Sequence, residues 1–264
     1  SERKKMKFIK KYYNMFKIMN PRNTEVKLGI ILIIITVLVF RSIMYFKFSW
    51  SIVISLGVFI MSMTFHEVAH GYVAYKFGDD TAKRQGRITL NPLKHLDLTG
   101  LLLPLLLVLS GSQFLIGWAK PVPVDFSRLR PHRLGLFCVA VAGIAVNLII
   151  ASIAGIFLRS FVSSGLTGNL GGLRSLLTDI AVYSYIINLA LAFFNLIPVT
   201  PLDGGRIVHS LSGRKIREFY DRIEPYGILI VFAIVYSGIF RDFFIWVFDF
   251  FINLTGLGIS LELI

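Results

Sequence analysis

Residues 50–74 read WSIVISLGVFIMSMTFHEVAHGYVA, and the reading of this stretch decides what kind of protein the rest can be. It is long and apolar enough to cross a bilayer, for which about 20 such residues suffice. Yet near its end it carries Phe65-His66-Glu67-Val68-Ala69-His70. Ionisable side chains inside a membrane helix are costly, about 2.5–3.5 kcal/mol for a charged residue at the helix centre, so they mark function. His66 and His70 stand at i and i+4 on one helical face, where two imidazoles can reach one zinc ion at about 2.0–2.1 Å. Glu67, next to the first ligand, suits a general base that takes a proton from water activated at the metal.

Outward from this helix, the composition agrees with lipid as the solvent. The chain has 264 residues, 55% hydrophobic and 14% aromatic, with a mean hydropathy of +0.70. One soluble core cannot hide that much apolar surface. Further spans are predicted over 27–46, 134–158, 180–198, 226–240 and 243–259, giving an all-α polytopic membrane protein with six transmembrane helices. Residues 1–26 form a basic amphipathic leader, and 27–264 a single integral-membrane domain. In the leader, Phe8, Ile9, Tyr12, Tyr13, Phe16 and Met19 fall at helical spacing among lysines. Such a stripe either lies in the interface beside anionic lipid or is a solvated segment that sets orientation.

The net charge of +13 would suit nucleic acid, but its placement points to membrane topology instead. Basic residues crowd the segment before the first span (from Arg3 to Lys27), the segment 75–97 (Lys76, Lys83, Arg84, Arg87, Lys94), the segment 118–133 (Lys120, Arg128, Arg130, Arg133) and the segment 199–225 (Arg206, Arg214, Lys215, Arg217, Arg222). The positive-inside rule puts these in the cytoplasm and predicts an N-in/C-in chain. The apolar run 98–117, with Gly100, Pro104 and Gly111, is flanked by basic segments on both sides. It is expected to be a membrane re-entrant or buried hairpin segment that does not cross. Cys138 is the single cysteine, so no intrachain disulfide forms. The basic start leads to no small-residue cleavage site, and no removed signal peptide is expected.

A catalytic zinc takes three protein ligands and keeps a fourth position open. The third candidate is Asp203, in Asn195-Leu196-Ile197-Pro198-Val199-Thr200-Pro201-Leu202-Asp203-Gly204-Gly205-Arg206. The prolines end the preceding span, and Gly204 and Gly205 let the backbone approach a neighbour closely. Topology tests the choice. If 98–117 crossed, Asp203 would lie at the opposite face, about 30 Å from His66 and His70. Buried His, Glu and Asp also mark ion pathways, so a zinc-binding transporter stays open beside hydrolysis.

Four ordered stretches together resemble the site-2 protease family of intramembrane zinc metalloproteases, in its compact prokaryotic branch. They are His66-Glu67-Val68-Ala69-His70, Asn91-Pro92-Leu93-Lys94-His95-Leu96-Asp97, Gly117-Trp118-Ala119-Lys120-Pro121-Val122-Pro123-Val124, and Asn195 through Arg206. The likeness covers a catalytic core of about residues 50–210. It implies one Zn2+ per chain held by His66, His70 and Asp203, with Glu67 as the catalytic base. It implies transmembrane protein substrates cut within or near their membrane segments, in a bacterial or archaeal cytoplasmic membrane, with the active site toward the cytoplasm. No PDZ-like or nucleotide-binding (CBS) module fits in the chain, and a nucleic-acid partner is not expected. The family's Ala-Gly-Pro-x-x-Asn reads here Ala142-Gly143-Ile144-Ala145-Val146-Asn147, with Ile144 for the proline. Asn147 either binds a substrate carbonyl or oxyanion, or joins spans by an interhelical hydrogen bond. His95 and Asp97 line or gate the entrance to the metal, supply a further ligand, or cap a turn after Asn91-Pro92; these readings stay open. Arg87-Ile88-Thr89-Leu90 has weak strand alternation, suited to pairing with an unwound substrate. A non-proteolytic scaffold that binds transmembrane helices is the remaining alternative, against which an intact Glu67 argues.

Overall fold

Ser49 opens the first long described helix: its hydroxyl accepts from the Ser51 N–H at 3.2 Å, which satisfies one of the free donors at a helix start. This helix, α1 (Trp50–Lys76), ends at Phe77-Gly78, where Gly78 takes a φ of +100° that side-chain-bearing residues resist. The computed structural model describes residues 49–95, 121–163 and 171–255, with positions 29 and 36 besides. The chain divides into two compact units. One, residues 1–47 and 102–116, lies outside the described residues apart from those two positions, and everything described below belongs to the other.

After α1 come a single turn, α2 (Thr81–Arg84), and a 3-10 turn at Pro92–Lys94. A second 3-10 turn at Phe126–Arg128 precedes the longest helix, α3 (His132–Ser163). Then follow α4 (Gly171–Asn195), α5 (Asp203–Leu211), α6 (Arg214–Ile223), α7 (Gly227–Tyr236) and α8 (Ile239–Thr255). The described residues are all helix, turn and irregular chain, with no strand. Residues 88–90 are consecutive bends, so the strand expected at 87–90 is not formed in this chain by itself.

Among the described residues, three helices are long and apolar enough to cross a membrane: Trp50–Lys76, His132–Phe161 and Gly172–Asn195. They match the expected spans 50–74, 134–158 and 180–198. The last starts eight residues early because its polar first turns, with Arg174 and Asp179, read as a loop by hydropathy alone. It stops at Asn195 because the residue before Pro198 is pushed out of helical geometry. The expected spans 226–240 and 243–259 differ more. Gly238, at φ +82°, breaks the chain between α7 and α8, and the segments on either side meet at 71°. Counted together they are at most a fourth span. The expected span 27–46, the leader and the run 98–117 lie outside the described residues.

The three long helices pack on one another. Small residues set how closely α3 and α4 approach: Ala151 and Ala154 face Ala181, with Leu158, Tyr185 and Leu189 filling in and Phe248 and Ile252 of α8 closing the cluster. A second cluster of Ala74, Leu129, Leu136 and Val139 joins the end of α1 to the start of α3. There the Arg130 N–H donates to the Phe77 carbonyl at 2.8 Å, and the Asp125 N–H to Asp79 at 2.8 Å. The chain therefore leaves α1 and re-enters at α3 on the same end of the bundle. Asp79, wholly buried, also accepts from the Thr81 backbone at 3.0 Å and from its hydroxyl, so its charge is fully hydrogen-bonded.

Candidate metal centre

α1 and α3 run antiparallel, and their contact face is built by spacing. His66 and His70, one turn apart on α1, meet Val139, Gly143 and Asn147, also one turn apart on α3. The His70 Nδ1 lies 2.7 Å from the Val139 carbonyl, to which it donates. That bond places the proton on Nδ1 and leaves Nε2 as the lone-pair nitrogen. Gly143 is the gap that admits both rings. A Cβ built there would lie 2.5 Å from His66 Cε1 and 2.6 Å from both His66 Nε2 and His70 Cε1.

Asp203 arrives from a distant part of the chain by way of a tight return. At the end of α4 the backbone turns through 196–202 and α5 begins at Asp203. A Cβ on Gly204 would sit 2.3 Å from the Leu196 carbonyl oxygen, and one on Gly205 2.2 Å from the Thr200 nitrogen. The neighbour that requires these glycines is thus the turn just before them. Folded back in this way, Asp203 is 8% exposed, and Tyr220 of α6 fastens the turn through its hydroxyl to the Pro198 carbonyl at 2.8 Å.

The result is a triangle of ligand atoms. His66 Nε2 and His70 Nε2 are 2.9 Å apart, and Asp203 Oδ2 is 3.3 Å from each. Adjacent ligands of a tetrahedral zinc with bonds of about 2.0–2.1 Å stand about 3.3 Å apart. Both edges to Asp203 meet that spacing, and the edge between the imidazoles is slightly shorter. Asp203 Oδ2 is buried without a hydrogen bond, an expensive state that a cation would relieve. Among the described residues, this trio is the one group of three or more potential ligands close enough to share an ion. The donor set, the spacing and the orphaned oxygen fit zinc.

The other expected site residues separate. Glu67 accepts from the Val122 N–H at 2.7 Å through Oε2. Asn147 is fully buried, with its amide nitrogen 3.1 Å from His66 Nδ1 and its oxygen without a partner. With His66 binding a metal through Nε2, Nδ1 carries a proton and needs an acceptor. Half a turn of the Asn147 amide supplies one. His95 is also buried, its Nε2 2.8 Å from the Thr89 carbonyl, and it closes the 3-10 turn whose start Asn91 caps. It is not in the ligand cluster. Asp97 lies outside the described residues. Two groups escaped the sequence reading: Gly143, whose signal was a small residue one turn before Asn147, and the Val122 amide, whose signal was a lone N–H between two prolines. His132 and His209, without an expected partner, pair with the Phe126 carbonyl at 2.9 Å and with Asp221 at 3.0 Å.

Comparison with known proteins agrees with this geometry. The family described as Peptidase family M50 matches residues 53–238. A Bacillus subtilis protein named "Putative zinc metalloprotease YwhC" is 41% identical over 187 residues, covering 71% of this chain and 81% of its own length. A Mycolicibacterium smegmatis protein named "Putative zinc metalloprotease Rip2" is 28% identical over 206 residues, covering 74% of this chain and 75% of its own. No solved structure matches the chain.

Proposed function

The chain belongs to peptidase family M50, and from that premise we propose that it is a zinc-dependent intramembrane endopeptidase that cuts membrane-protein substrates within or near their transmembrane segments. The observation that carries the proposal is the buried triangle of His66, His70 and Asp203 between helices of membrane-spanning length. These residues would hold the ion. When bound, zinc supplies Lewis acidity to a water and to the scissile carbonyl.

The chain's own groups do the rest. His70 is fixed in its ligating tautomer by Val139, and His66 by Asn147 once the amide oxygen turns toward it. Glu67 takes the proton from the attacking water and returns it to the leaving amine. With Oε2 engaged by Val122, the transfer falls to Oε1. The contact of Asn147 with His66 supports a role in orienting that ligand over direct contact with an oxyanion.

The bond from Arg130 to Phe77 means that the chain leaves α1 and returns to α3 at one end of the bundle. Lys76, Lys83, Arg84 and Arg128 gather at that end, which favours the cytoplasmic side for it, with the N-terminus inside. A bacterial or archaeal cytoplasmic membrane follows by likeness to the relatives.

The test compares wild type with Glu67→Gln, purified in detergent, for bound zinc and for cleavage of a panel of single-span helices. Equal zinc content with cleavage by wild type alone is expected. Cleavage at equal rates by both proteins would remove Glu67 from the chemistry, and zinc transport into liposomes without cleavage would favour a transporter.

A further inference from the structure

We infer that the Pro121-Val122-Pro123 segment is a positioning element for Glu67: its single backbone N–H holds one carboxylate oxygen and so aims the other at the metal side of α1. The inference rests on the reading of Glu67 as the proton acceptor and names the group that orients it.

Pro121 and Pro123 have no N–H, so Val122 is the only amide donor in the triplet, and Glu67 Oε2 takes it at 2.7 Å. That is at the short end of the range for N–H···O bonds. Pro123 confines residue 122 to extended geometry, which keeps the donor pointing sideways from the chain. The segment can lie this close because Gly71 stands four residues beyond Glu67 on the same face of α1. A Cβ on Gly71 would meet Val122 Cγ1 at 2.8 Å and Ala82 Cβ at 3.2 Å. Val122 is 6% exposed, buried in this notch. Charged side chains pin the segment at both ends: Arg87 Nη2 donates to the Pro121 carbonyl at 3.3 Å, and Asp79 accepts from the Asp125 N–H. Glutamate is a flexible side chain, and a donor on a rigid, anchored strap restricts it to one orientation.

The first arm of the test needs neither metal nor substrate. Valine follows proline at 122, 124 and 199 only, so labelling proline carbonyls with 13C and valine nitrogens with 15N isolates three amide signals in the metal-free full chain. In Glu67→Ala, Val122 amide exchange should quicken by about 10-fold or more while Val199 stays unchanged. An unchanged Val122 signal overturns the inference.

The second arm separates backbone from side chain. Val122→Pro removes the N–H. It should keep wild-type zinc content, lower kcat by about 10–100-fold and leave KM within about 2-fold. Val122→Ala keeps the N–H and trims the packing on Gly71, and should lower kcat by less than about 3-fold. Equal losses in the two variants would assign the effect to packing and overturn the inference, as would loss of zinc from Val122→Pro. Wild-type turnover by Glu67→Gln would overturn the parent reading, whereas an unchanged Val122 amide sinks the positioning role alone.

Discussion

Two polar crossings sit one turn apart on α1. At Ser62, the Asn188 amide of α4 donates to the hydroxyl at 2.8 Å; at His66, the Asn147 amide of α3 lies 3.1 Å from Nδ1. Both asparagines are fully buried and both leave Oδ1 without a partner. The difference is in what each amide nitrogen holds. Asn188 Nδ2 also donates to the Ser184 carbonyl at 2.8 Å, so turning it would break two bonds. Asn147 Nδ2 holds His66 alone, so turning it exchanges one bond for another. The first crossing is locked glue between helices. The second can follow the tautomer of a metal ligand, and residue type alone does not separate the two.

The largest break in this comparison should come from the ligands. Asp203→Asn or His66→Ala should weaken zinc binding by more than about 100-fold, since replacing mere partners of ligands costs about 10–100-fold. Competition with a chromogenic chelator reads this directly. Metal removal gives a second view: zinc at 100 times its dissociation constant should stabilise wild type by about 2.7 kcal/mol and Asp203→Asn far less, seen as a shift in Tm. Equal shifts would place the metal elsewhere.

Gly143→Ala comes next. Its new methyl would fall 2.5 Å from His66 Cε1, with rigid helix behind it, so the rings must move. A core overpacked in this way loses about 1–3 kcal/mol. Zinc affinity should fall by roughly 10–100-fold, because the ligand atoms separate. A variant with intact affinity would show that the rings have slack. Asn147→Leu should also lower zinc affinity by about 10–100-fold while the bundle stays folded. A loss of stability without loss of zinc would make it glue after all, like Asn188.

The sequence carried the parts of this site whose geometry is local. His66 and His70 share a face because a helix repeats every 3.6 residues, and a strongly apolar stretch leaves little choice but helix. Asp203 was reachable because the prolines and glycines around it forecast a sharp return, although the partner of Gly204 and Gly205 proved to be their own preceding turn. Groups defined by what crosses over from elsewhere were hidden. Gly143 matters through rings on α1, and Val122 through a backbone atom that no residue-type pattern displays. Asn188 drew no notice because a single amide in an apolar run has no local partner to name. Hydropathy also misplaced the beginning of α4 and set the break between the last two helices at 241–242 in place of Gly238, because a sum over a window has no term for one residue's φ.

Asn188→Ala should have the smallest effect, and it is the sharpest control. It removes the donor to Ser62 and the buried orphan oxygen together, so the net change should stay within the range of interhelical hydrogen bonds in membranes, about 0.6–1.7 kcal/mol. Zinc affinity should be unchanged, because Ser62 lies a full turn from His66 and touches no ligand atom in any hydrogen bond of the site. Unfolding followed in mixed micelles, with and without zinc, separates the two quantities. A fall in zinc affinity comparable to that of Asn147→Leu would mean that α4 also sets the position of α1 at the metal. The two crossings would then form one coupled network, and the contrast between glue and ligand support would no longer hold.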